Sequence, residues 1–118
     1  MEYKMRFRLA AVVSMAAVLA LPATAAADMT ARELLPMARE YVAANEGDGK
    51  QPYRAGFFAG YVRAAFERGN GRAFCGPPCA CDSAEAVAAH LERHPELLER
   101  PAREVVDAAL TAKFPCKP

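Results

Sequence analysis

Four cysteines are the residues of this 118-residue chain most able to do chemistry: Cys75, Cys79, Cys81 and Cys116. Thiols can bond to one another, ligate a soft metal, or attack a disulfide as thiolates. An attacking thiolate needs a lowered pKa, and Cys79-Ala-Cys81 just before a helix start offers only a weak version of that setting. No Cys-x-x-Cys stands in a strand–helix context, so an oxidoreductase is disfavoured. His90 and His94 are four apart on one helix, a spacing that can hold a transition metal. Leu91, Glu92 and Arg93 lie between them, so neither His-Glu-x-x-His nor its inverse is present. A packed or capping histidine is the better reading, against a zinc site completed by Cys79 or Cys81. Ser83 reads as a helix cap, and no Gly-x-Ser-x-Gly, paired inward carboxylates or glycine-rich phosphate loop occurs. Nothing is assembled for catalysis, and no cofactor or metal is expected.

The start of the chain decides among the thiol chemistries. Lys4, Arg6 and Arg8 are followed by an uncharged stretch, Leu9 to Ala25, rich in Ala, Val, Leu and Met. Pro22 and the small residues Ala23 to Ala27 close it. A basic start, an apolar centre and an A-x-A-like exit are the parts of a signal peptide. Residues 1–27 are therefore expected to be removed, after Ala27 or alternatively Ala25, leaving residues 28–118 as one domain in the periplasm. The stretch is shorter and less apolar than the ~20 residues a spanning helix needs. Behind such a signal, an even number of cysteines reads as a disulfide framework with three possible connectivities. A Cys75–Cys116 bond would close a ~40-residue loop around the last two helices, worth ~4 kcal/mol in the chain-entropy model.

The chain has 15 Lys and Arg and 14 Asp and Glu, and three of those bases and one of those acids lie in the first eight residues. What remains is near neutral, with both signs interspersed, so nucleic acid is excluded as a partner. Nothing after residue 28 is apolar enough for a membrane.

Four helices must position these residues. Thr30-Ala-Arg-Glu33 has capping-box spacing, and Leu34, Leu35, Ala38, Tyr41 and Val42 follow a helical period behind it. Pro36 should kink that helix or delay its regular part. Gly47 and Gly49 end it. A second helix runs from about Pro52 to Arg68, with Tyr53, Phe57, Phe58, Tyr61, Val62 and Phe66 on most of its circumference, the pattern of a central, buried helix. Gly56 and Gly60 predict a strip where another backbone comes close, and Arg63 and Glu67 an exposed pair. Between this helix and the third, Phe74-Cys-Gly-Pro-Pro-Cys-Ala-Cys81 can only be a tied-down loop. Asp82 or Ser83 caps a third helix that Pro95 stops, and Pro101 opens a fourth with Ala102, Val105, Val106, Ala109 and Leu110 on one face. No segment alternates with period two, so the fold is all-α, a small stapled bundle of about four helices.

The order of these motifs resembles the Rap/Tai immunity proteins of bacterial type VI secretion systems. The resemblance rests on Ala55-Gly-Phe-Phe-Ala-Gly-Tyr-Val62, then Phe74-Cys75 with Pro77 or Pro78, His94-Pro-Glu96, Pro101-Ala102 and Phe114-Pro-Cys116. It implies a small periplasmic all-α inhibitor, not an enzyme, whose protein partner is a cell-wall amidase effector. It also implies that Cys75 and Cys116 pair, and that Gly60-Tyr61 is a packing element. The sequence departs from the family in having Phe57 and Phe58 where a cysteine often stands, and in having Cys79 and Cys81 at all, so the fate of that pair stays open. Contact residues toward the partner, and the choice between monomer and homodimer, are not implied. The alternative is a stand-alone periplasmic helical binding or chaperone-like module with no toxin partner.

Overall fold

The computed structural model describes residues 28–76 and 79–117. The segment holding the expected signal peptide and its cleavage positions lies outside the described residues. Helix α1 spans Ala31–Asn45, α2 Pro52–Gly69, α3 Ala80–Arg93 and α4 Ala102–Lys113, with a 3₁₀ turn at Pro95–Leu97 between the last two.

Helix α1 starts where the sequence signals it. The Thr30 hydroxyl accepts from the Glu33 N–H at 3.3 Å, and the Glu33 carboxylate accepts from the Thr30 N–H at 2.7 Å, so the capping box is complete. Helical geometry is continuous from Ala31, so Pro36 does not delay the helix. Its missing N–H removes one bond near the N-terminal end, while Leu34, Leu35 and Ala38 anchor that stretch in the core. The helix ends in a Schellman motif, Gly47 N–H donating to the Ala44 carbonyl and Asp48 N–H to that of Ala43. Gly47 takes φ +86° to do so, a conformation open to glycine. The Glu40 carboxylate then accepts from the N–H groups of Lys50 and Gln51, both at 3.1 Å, and Pro52 opens α2.

Each of the four helices touches the other three. Leu34, Phe58, Val62, Phe74, Val87, Leu91, Val106 and Leu110 fill the space between them. Helix α2 differs from the expectation of burial all round. Only Ala55, Phe58, Val62 and Ala65 are buried, a single stripe, and Tyr53 is 81% exposed. Two of its outward aromatics cover each other instead, Phe57 and Tyr61 stacking with centroids 6.1 Å apart. Gly56 and Gly60 face open space, so no backbone approaches them and Gly60 is not a packing element. Close approaches occur elsewhere, where a Cβ on Gly76 would overlap the Phe66 ring, one on Gly69 the Phe74 ring and one on Gly49 the Ala44 backbone.

Helix α3 begins at Ala80, with Cys79 as N-cap, rather than at Asp82 or Ser83. The first-turn donor is met by sulfur, the Cys81 N–H donating to Cys79 Sγ. Ser83 is thereby carried inside the helix and fully buried.

The start of α1 is clasped to the segment before α4. Ala31 and Arg32, whose N–H groups have no partner within α1, donate to the carbonyls of Arg100 and Leu98 at 2.9 and 2.8 Å. Ala102, at the start of α4, donates to the Met29 carbonyl at 2.7 Å. Pro101 is the N-cap of α4, one residue before the helix proper.

Candidate partner-binding site

Two disulfides are present. Cys75 is bonded to Cys116 and Cys79 to Cys81. The first ties the link after α2 to the tail after α4, and the Cys75 N–H donating to the Phe114 carbonyl at 2.8 Å runs beside it. Phe74 next to it is fully buried and lies against Phe66, with centroids 5.9 Å apart. The Asn70 side chain accepts from the Gly76 N–H at 3.0 Å and fixes the approach to the loop. Reduction of this bond would free both flanks of the α3–α4 half.

His90 and His94 come together on α3, their ring centroids 4.2 Å apart. His94 is the C-cap of the helix, its N–H donating to the His90 carbonyl, and its Nδ1 lies 2.8 Å from a Glu96 carboxylate oxygen. His90 has its Nε2 buried without a partner among the described residues, and burial together with His94 and Arg93 pushes its pKa below the ordinary 6.5. The hydrogen bond from His94 holds the Glu96 carboxyl below its usual range. Cys79 and Cys81 stand at the other end of α3, about 13 Å away at 1.5 Å rise per residue. The residues of the zinc alternative are therefore not assembled. Among the described residues, Cys79, Cys81 and Asp82 are the one grouping with metal-ligand spacing, and both its sulfurs are committed to a disulfide.

The sequence gives no sign of a groove of about 550 Å³ between α1 and α3. Ala38 and Val42 of α1 and Ala88 and Ala89 of α3 line its apolar part, and Val42 is 37% exposed there. The groove exists because alanines face each other where larger side chains would interdigitate. A bidentate pair spans it, Arg39 Nε and Nη2 donating to the two Glu92 carboxylate oxygens at 2.7 and 3.1 Å. That contact raises the Arg39 pKa and lowers that of Glu92. Glu46 and Glu85 also line it and have no ion-pair partner among the described residues.

What the fold defines is a small clamped four-helix domain, with no helix among the described residues long and apolar enough to cross a membrane. More narrowly, the chain belongs to the Rap1a immunity proteins, whose family model matches residues 30–116. It is thus a member of a family of non-enzymatic immunity proteins, which implies a toxin as its partner. No curated protein and no solved structure matches the chain.

Proposed function

We propose that this chain is a periplasmic immunity protein, made with a signal peptide over residues 1–27, that binds a type VI secreted peptidoglycan amidase and blocks it sterically. The family match over residues 30–116 carries this reading. Two further observations support it. Both disulfides suit an oxidising compartment. A domain whose first helix is clasped to the segment before α4, and whose last two helices are stapled by a disulfide, is pre-organised, so it loses little conformational entropy when it docks.

The test uses the chain from Asp28 as bait on periplasmic extract from the native host with secretion genes induced. The expected result is one secreted cell-wall hydrolase, retained through high salt and inhibited in proportion to added bait. A bait that retains no hydrolase, with host cells no more sensitive to neighbours after deletion of the gene, would reject the reading. Suppression of acid-induced aggregation of unrelated proteins would move it to the chaperone-like module.

A further inference from the structure

We infer that the toxin docks in the groove between α1 and α3, and that the docking element is a loop carrying a lysine or arginine; this rests on the immunity reading. The shape comes first. At about 550 Å³ the groove has the volume of pockets that bury a small ligand, roughly 300–1,000 Å³, so it holds a short loop segment rather than one side-chain tip. The Arg39–Glu92 pair ties α1 to α3 across it, so the groove is formed before any partner arrives.

The chemistry selects the occupant. An apolar part of Ala38, Val42, Ala88 and Ala89 accepts a methylene stem, while Glu46 and Glu85 leave two carboxylates uncompensated beside it. Glu92 is neutralised by Arg39, so the excess charge is negative. Helix α1 sharpens this bias. Its last turn carries no basic residue, and Glu46 is its C-cap, so the negative end of the helix dipole lies at the same place. A long apolar stem ending in a cation is what lysine and arginine offer, and both bury the stem while keeping the charge at a polar rim. A carboxylate-bearing loop would meet like charge there, which costs affinity steeply. The exposed aromatics of α2, Tyr53 and Phe57, form the rival surface.

The experiment takes the hydrolase retained by the wild-type chain, purified, and measures Kd by calorimetry at two salt concentrations. Three variants of the chain are compared: Glu46→Lys/Glu85→Lys, Glu46→Gln/Glu85→Gln and Tyr53→Ser. All these side chains are exposed, and unchanged melting temperatures verify folding. Charge reversal is expected to weaken binding by about 100-fold or more and neutralisation by about 10-fold, with the salt dependence of the wild type lost in both. Tyr53→Ser is expected to bind within about threefold of wild type. Wild-type binding that survives charge reversal within about threefold overturns the groove assignment while leaving the immunity reading intact. Loss of binding in Tyr53→Ser alone moves the interface to α2 and also overturns it. A dimer of the chain that charge reversal dissociates, with toxin affinity unchanged, makes a second copy the occupant and rejects the toxin loop. If the wild-type chain retains no hydrolase, the immunity reading falls first and the groove assignment falls with it.

Discussion

Removing the Cys75–Cys116 bond by the double substitution Cys75→Ala/Cys116→Ala should cost this domain most of its stability. The bond spans a sequence separation of 41 residues. For a loop of that length, chain entropy in the unfolded state gives about 4 kcal/mol. A domain of roughly 90 residues unfolds with an entropy near 0.19 kcal/mol/K, so the melting temperature should fall by about 20 °C. The Cys79–Cys81 bond spans a separation of only 2. The same relation gives it about 1–2 kcal/mol, and Cys79→Ala/Cys81→Ala should lower the melting temperature by no more than about 10 °C. The assay is thermal unfolding by circular dichroism at matched pH, with intact and free thiols counted by mass. The ratio between the two variants carries the argument, because both remove two sulfurs and differ in loop length. Equal shifts, or a larger shift for the short loop, would refute the entropic account and put the stabilisation in local contacts such as the Cys81 N–H to Cys79 Sγ bond.

Four other outcomes follow from particular contacts. Ser83→Ala should raise stability by about 1 kcal/mol, because its buried hydroxyl has no partner among the described residues; calorimetry that finds destabilisation would show a bond it does make. Gly56→Ala and Gly60→Ala should each stabilise by up to about 1 kcal/mol, since their sites on α2 are open. Gly76→Ala should cost about 1–3 kcal/mol as its new Cβ drives into the Phe66 ring, and denaturant midpoints measure all three. Stability should also fall on acidification through the histidine range. His90 has a folded pKa below its unfolded 6.5, so the unfolded chain binds more protons in the interval between the two. Its contribution is complete above 6.5 and is lost as pH falls through that interval. Glu92 and Glu96, both lowered, add a further loss below their ordinary 4.5. Melting temperatures from pH 7.5 to 5 should fall less in His90→Gln than in wild type, with Arg93, His94 and Glu96 unchanged beside it.

Local signals were legible where they are carried by neighbours in sequence. The Thr30–Glu33 box, the Asn45–Gly49 stop and the face of Ala102, Val105, Val106, Ala109 and Leu110 on α4 all have their causes within one or two turns. The exposed Arg63–Glu67 pair also forms as its i,i+4 spacing predicts, at 2.6 Å. The start of α3 differs from the sequence expectation because Asp82-Ser-Ala-Glu85 has capping-box spacing, whereas the disulfide sulfur of Cys79 takes the capping role, which no hydroxyl rule foresees. On α2, large apolar residues all round suggested burial, yet only a core placed on one side decides which of them is covered. The groove was invisible for the same reason. Ala38 and Ala88 each read as ordinary helix formers, and only the register of α1 against α3 turns their smallness into space.

The clasp between the first turn of α1 and the segment before α4 has a consequence for how the chain acquires its shape. The amide groups that Ala31 and Arg32 present are satisfied only by carbonyls at Arg100 and Leu98, and Met29 in turn serves Ala102. The opening turn of the first helix therefore gains these protein partners only once nearly the whole polypeptide has been delivered. A chain emerging N-terminus first waits, unfinished, for its own last quarter. Loss of that last quarter, by truncation or by proteolysis near Leu98, would unravel the molecule from its beginning.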